Sequence, residues 1–139
     1  MKKTLAFIAI AIVFNINAQS NNTNTADGFN AFHFDSGTYN TASGYYALYG
    51  NTGSYNTASG AYALMINSGY FNTASGYEAL KSNTKGKNNT AYGYQALQSN
   101  TEGKNNTASG FEALKNNNTA NNNTAYGYKA LEPHIQMRY

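Results

Sequence analysis

The sequence predicts an all-β protein, a parallel β-solenoid (β-roll) of about seven coils of 16–17 residues with two short strands per coil. Three observations predict it. A nine-residue phrase recurs seven times, as NTADGFNAF from Asn24, NTASGYYAL from Asn40, NTASGAYAL from Asn56, NTASGYEAL from Asn72, NTAYGYQAL from Asn89, NTASGFEAL from Asn106 and NTAYGYKAL from Asn123. Its starts lie 16 residues apart three times and then 17 three times. That is too short for a repeat of two helices, which takes about 33 residues, and long enough for two strands and two turns. A second breaker follows the first five phrases at a nearly fixed place, Gly37, Gly53, Gly69, Gly86 and Gly103, with Ala120 in the sixth copy.

The chain opens with a segment of another kind. Met1 to Ala18 carries Lys2 and Lys3, an apolar stretch from Leu5 to Phe14 and a short polar step, the layout of a cleavable secretory signal. Cleavage after Ala18 leaves Gln19 as the first mature residue. The apolar run is shorter than the roughly 20 residues of a spanning helix, so no membrane span is expected in the mature chain. Residues 19–131 form the tandem-repeat solenoid, and 132–139 form a non-repeat tail in which Pro133 interrupts the pattern.

Within one repeat the first strand is expected at Thr-Ala-x-Gly, with Ala and Gly sharing a face because strand side chains alternate. The sixth position is aromatic in six copies (Phe29, Tyr45, Tyr77, Tyr94, Phe111, Tyr128), and these rings are expected to pack over the next coil and complete a thin core. The seventh holds Asn30, Tyr46, Tyr62, Glu78, Gln95, Glu112 and Lys129, a mixture that reads as water-facing. The second glycine is expected to turn the coil back through a positive φ. The extra residue of the longer copies falls in that loop, where insertions are tolerated.

Stacking converts fixed positions into rows about 4.8 Å apart. Asn40, Asn56, Asn72, Asn89, Asn106 and Asn123 are expected to form one structural ladder, bonded amide to amide, beside the glycines Gly44, Gly60, Gly76, Gly93, Gly110 and Gly127. Thr41, Thr57, Thr73, Thr90, Thr107 and Thr124 form another. One coil alone cannot fold: ordering each residue costs about 1–2 kcal/mol, whereas a buried Leu returns roughly 1.5–3. Neighbouring coils must make up the difference, and a face of small Ala and Gly invites a further contact between chains. A homo-oligomer is therefore expected, and open coil ends that can pair end to end allow a fibre.

Composition narrows the chemistry. Removal of the leader takes two of nine basic residues and leaves seven against six acids, with no basic run to follow a phosphate backbone, so no nucleic-acid partner is expected. The chain has no cysteine, so neither a disulfide frame nor a thiolate metal site can form. Asp27 and Asp35 are the only aspartates, too few for calcium-binding repeats, and no metal or other cofactor is expected. His33 and His134 have no acid and nucleophile at a suggestive spacing. Glu78 and Glu112 share a repeat position two coils apart, about 10 Å, which reads as coincidence on a solvent face. The expected function is not enzymatic.

Ala91, Gly93 and Ala96 of NTAYGYQA keep the Ala-Gly-Ala spacing of the head repeats of trimeric autotransporter adhesins of the YadA-like type, with Asn89 one residue closer, and the other copies match in the same way. The chain resembles that family over Asn24 to Leu131. NTAxGxxAL arrays are also similar to those of bacterial surface proteins and tail-fibre-like proteins. The resemblance implies a trimeric β-roll displayed at a bacterial surface and used for attachment.

Together these readings give a secreted or cell-surface repeat protein of structural or adhesive role, with a glycan or another surface as ligand. Tyr46, Tyr62, Tyr92 and Tyr126 sit where other copies hold polar or variable residues and are the candidate adhesive face. An alternative is an ice- or glycan-binding solenoid that uses a Thr or Tyr ladder. One fixed Thr per coil gives no two-column array, which weighs against ice. A tail-fibre fragment is a third reading, against which the leader argues.

Overall fold

The computed structural model describes residues 23–132. The leader reading for 1–18 and the tail beyond Glu132 lie outside the described residues. Ten short strands follow in order: β1 (Thr25–Asp27), β2 (Phe34–Asp35), β3 (Thr41–Ser43), β4 (Gly50–Asn51), β5 (Thr57–Ser59), β6 (Ile66–Asn67), β7 (Thr73–Ser75), β8 (Thr90–Tyr92), β9 (Thr107–Ser109) and β10 (Thr124–Tyr126). They form a seven-stranded sheet, β1-β3-β5-β7-β8-β9-β10, and a three-stranded sheet, β2-β4-β6, with every pair parallel. This is a β-solenoid. No helix among the described residues is long and apolar enough to cross a membrane.

Register follows the repeat. Thr41 pairs with Thr57 and Ala42 with Ala58, and the same match runs through the sheet. The first strand is three residues long in each coil, whereas the second is two residues long and regular only in the first three coils. The reason is the inserted residue. The Asn67 side chain donates to the Gly69 carbonyl two residues on, while Asn83 and Asn100 reach Gly86 and Gly103 three residues on. The longer loop bends where the shorter one runs straight.

Alternation along Thr-Ala-Ser turns the alanine inward and the hydroxyls outward. Ala42, Ala47 and Leu48, with their equivalents in each coil, make one continuous apolar core from Ala31 to Ala125. Those alanines are at most 3% exposed, so the small face is consumed within the chain and offers nothing to a second one. This corrects the expectation that it invites an inter-chain contact. The side chain pointing inward is small because the opposite wall is only one coil width away.

Each corner takes a conformation that the sequence does not announce. The seventh and ninth positions of the phrase and the residue before each ladder Asn are left-handed, with φ between 48° and 61°, including Tyr46, Leu48 and Tyr55. A left-handed L-residue costs about 1–2 kcal/mol. At the ninth position the penalty is offset by burial, because Leu48, Leu64, Leu80 and Leu97 are fully enclosed and each contributes roughly 1.5–3 kcal/mol. Before the ladder Asn the last three coils relieve it with Asn88, Asn105 and Asn122, the residue type that tolerates this region best after glycine.

The glycines divide the labour differently from expectation. Positive φ belongs to the fifth-position set, such as Gly44 at +133° and Gly76 at +132°, and not to Gly37, Gly53, Gly69, Gly86 and Gly103. The latter are needed for proximity: a Cβ on Gly69 would lie 1.7 Å from the Gly86 carbonyl oxygen, and one on Gly53 would lie 1.8 Å from that of Gly69. Ala120 ends this column, and among the described residues no further coil stands beyond it.

Two asparagine ladders run through the interior. In the expected one, the backbone N–H of each Asn donates to Oδ1 of the Asn before it, as Asn56 to Asn40 at 2.8 Å and Asn89 to Asn72 at 3.0 Å. Its side-chain amides also cross to glycine carbonyls, as Asn40 to Gly53 and Asn56 to Gly69. The second ladder, Asn51, Asn67, Asn83, Asn100 and Asn117, was not expected. From Asn67 onward each side-chain amide there donates directly to the amide oxygen of the preceding coil, at 2.7–2.8 Å for Asn67, Asn83 and Asn100. No buried side-chain polar atom among the described residues lacks a partner.

Asp35 heads the second ladder, and its chemistry fits the place. Among the described residues no coil precedes it in the row to accept a donated bond, and the groups facing it are donors: Asn51 Nδ2, the Gly37 N–H and Asn24 Nδ2. Burial pushes its pKa up, and the bonds from Gly37 and Asn51 only partly counter that.

Candidate functional surface

With the interior committed to stacking, function falls to the outer rows. On the seven-stranded sheet the outward positions are the Thr and the fourth residue of each phrase. Over β3, β5 and β7 these give Thr41/Ser43, Thr57/Ser59 and Thr73/Ser75 in register. Two hydroxyl columns therefore exist over three coils, a Thr–Ser array in place of the single Thr column expected. The same fourth column continues as Tyr92, Ser109 and Tyr126, so Ser109 separates the two tyrosines by one rung.

The sixth-position rings do not complete the core. Phe29, Tyr45, Tyr77, Tyr94, Phe111 and Tyr128 are 41–73% exposed, and they form a column on the outside. Consecutive rings stack at 5.6 Å for Phe29–Tyr45, 5.3 Å for Tyr77–Tyr94, 5.0 Å for Tyr94–Phe111 and 5.3 Å for Phe111–Tyr128. The physical reason is room: alanines and Leu already fill the interior, so the rings find apolar area only against each other. Ala61 breaks the column, and Tyr62 from the next position bridges the gap edge-on to Tyr45 and Tyr77. A shorter second column runs Tyr39–Tyr55–Phe71 at 5.1 and 5.0 Å.

The four candidate tyrosines therefore separate into two pairs. Tyr46 and Tyr62 are half-buried members of the aromatic column; Tyr46 packs against Tyr45 at 4.5 Å and Tyr49 at 4.7 Å. Tyr92 and Tyr126 stand on the sheet face, 52% and 71% exposed, and neither has a ring neighbour among the described residues. Rings stacked nearly parallel spend their faces on one another and show edges to solvent. Free ring faces, the kind that cover a sugar, are therefore found on Tyr92 and Tyr126. His33 is taken up in a local cluster with Phe34 and Tyr49.

The seventh position is not simply water-facing. Glu78 and Glu112 are only 8% and 9% exposed, because the left-handed corner folds these side chains back over the coil. Glu78 accepts from Lys81 at 2.6 Å and from Gln95 and Gln98. Glu112 pairs with Lys115 at 2.5 Å and Lys129 at 3.1 Å. Each carboxylate thus has its own cation and is not aimed at the other. Burial raises the Glu78 pKa most strongly of any single influence, but the bonds from Lys81, Gln95 and Gln98 and the Lys81 charge together hold it below the ordinary value. For Glu112 the Lys115 bond leads, and Lys129 adds to it, with the same net direction.

A pH dependence follows. Groups whose folded pKa is depressed contribute stability above the unfolded value and lose it as pH falls through the folded one. Asp35 acts oppositely, since its raised pKa makes the protonated form the more stable. The Glu78 and Glu112 pairs are therefore expected to make the melting temperature drop as pH falls below the ordinary carboxylate range, with Asp35 working against that drop. The double variant Glu78→Gln/Glu112→Gln should flatten or reverse that drop in a thermal melt.

Compared with known proteins, the chain matches no family model, no curated protein and no solved structure.

Proposed function

We propose that this chain is an exported, non-enzymatic repeat protein that serves as an attachment or structural element at a bacterial surface, working as an assembly of copies. One observation carries the reading: the interior is spent on coil-to-coil bonding, and what varies between coils is set out in straight external rows. Rows at the strand spacing suit a ligand that is itself extended or repetitive. Export rests on the Lys2/Lys3 and Leu5–Phe14 layout of the leader. Assembly rests on the ends, because among the described residues β1 and β10 each pair on one side only. A further copy, docked end to end or as part of a trimer, would cover that unpaired backbone.

Expression of the full chain in a bacterial host tests both halves. Protein recovered from the cell exterior with Gln19 as its first residue, sedimenting as trimers or rods and retaining cells on a coated surface, is the expected result. Full-length protein held in the cytosol, or a secreted monomer that attaches to nothing, would end the proposal. The Thr–Ser array favours ice as a second reading, and thermal hysteresis of the purified protein would replace attachment with it.

A further inference from the structure

We propose that a lysine-lined groove on the solenoid is a binding site for an acidic polysaccharide carrying hexuronate carboxylates. It rests on the attachment reading and names the partner and the face. The groove, of about 370 Å³, is lined by Ser68, Tyr70, Lys85, Lys87, Glu102 and Lys104. The repeat builds it: Ser68, Lys85 and Glu102 follow one another at 17 residues, and so do Tyr70, Lys87 and Lys104. The two rows flank the close-packed glycines Gly69, Gly86 and Gly103. In sequence these lysines are scattered through loops; in the stack they converge.

Charge balance singles the groove out. Among the described residues six lysines face six carboxylates. Lys81, Lys85, Lys115 and Lys129 each sit beside a carboxylate. Lys87 and Lys104 do not. Lys87 lies over the Tyr70 ring at 5.2 Å, and the Lys104 ammonium has neither a carboxylate nor a ring. These two cations occupy the same position on adjacent coils, about one strand spacing apart, where they repel each other. An oxyanion placed between them removes that repulsion and takes a charge-assisted bond from each.

The surroundings select among anions. Ser68 and the Tyr70 hydroxyl offer hydrogen bonds to sugar hydroxyls within the groove. The Tyr70 face is covered by Lys87, which leaves no platform for a nucleobase. No arginine lies among the described residues to grip phosphate in bidentate fashion. A polyuronate, with one carboxylate per sugar and hydroxyls between, fits both the cations and the polar walls.

Binding of the purified protein to polygalacturonate, measured by calorimetry at fixed ionic strength beside neutral dextran, dextran sulfate and single-stranded RNA, tests the assignment. Polygalacturonate should bind and dextran should not. Lys87→Gln/Lys104→Gln should weaken binding about tenfold or more, as loss of charge-assisted bonds implies, and Glu102→Gln should tighten it. All three positions are exposed, so the fold is retained. RNA or dextran sulfate binding more tightly than polygalacturonate would overturn the ligand class. So would recovery of binding when Thr57→Lys is added to the double variant, since charge alone would then suffice. Surface attachment that persists while polygalacturonate binding is absent would remove this site and leave the wider reading intact.

Discussion

Gly69→Ala is expected to break the solenoid in the middle, at a cost of about 3 kcal/mol or more. The added Cβ would stand 1.7 Å from the Gly86 carbonyl oxygen and 2.9 Å from Asn72 Nδ2, and neither neighbour is free to retreat. The carbonyl belongs to a backbone that accepts the Asn72 and Asn83 amides. Two controls separate this effect from backbone strain. Gly127→Ala places a Cβ with nothing within 4 Å but at φ +119°, so only conformational strain of roughly 1–3 kcal/mol is incurred. Gly50→Ala meets only the Met65 carbonyl at 3.7 Å and has no left-handed φ, so it should be neutral or slightly stabilising. Denaturant melts followed by circular dichroism should rank the three in that order. A Gly69→Ala protein as stable as Gly50→Ala would mean that the coils are not stacked at this spacing.

The same glycines show what the sequence disclosed and what it withheld. The seven phrases and their spacing were enough for the coils, for the parallel stack and for the Asn40–Asn123 ladder, because a repeated residue in a stacked fold must lie over its own copy. What the spacing could not disclose is backbone conformation. Leu80 and Glu78 look like ordinary strand or helix residues, and their left-handed φ is imposed by the corner and sustained by burial, a tertiary cause with no local signature. The second ladder did leave a trace. Asn51, Asn67, Asn83, Asn100 and Asn117 recur at 16 and then 17 residues, but in loops so rich in asparagine that the register was hidden.

The surface was less legible than the core. The sixth-position aromatics looked like core material because hydrophobic rings usually are, yet the alanines had already closed the interior and the rings were left to stack outside. Tyr92 and Tyr126 share the variable fourth position on the sheet face, whereas the corner turns Tyr46 and Tyr62 into the aromatic column. Lys87 and Lys104 were visible only as loop lysines, and the missing information was which residues lacked a counter-ion.

Replacing Asn72 is expected to be as damaging as crowding Gly69, for the opposite reason. Asn72 gives its amide to Asn56 Oδ1 and the Gly86 carbonyl and accepts the Asn89 backbone N–H, all fully buried. Asn72→Leu would orphan that N–H, at about 1–3 kcal/mol, and would lose the bonds to both neighbours besides. Asn72→Asp keeps the shape and should cost more at neutral pH, roughly 3–5 kcal/mol, since an uncompensated buried charge would face the Asn56 and Gly86 oxygens. Protonation would relieve it. The folded pKa of the new carboxyl would lie above its unfolded value, so the variant should gain stability as pH falls, against the trend that Glu78 and Glu112 set in the parent. Because coils interact mainly with their neighbours, the damage should be local and melting should split into two transitions, with the coils before and after residue 72 unfolding separately. One cooperative transition with the parent's pH trend would refute the ladder as the source of cohesion. The chain already contains the comparison: at the head of the second row Asp35 stands where later coils have Asn, and it is accommodated there because the groups that face it are donors.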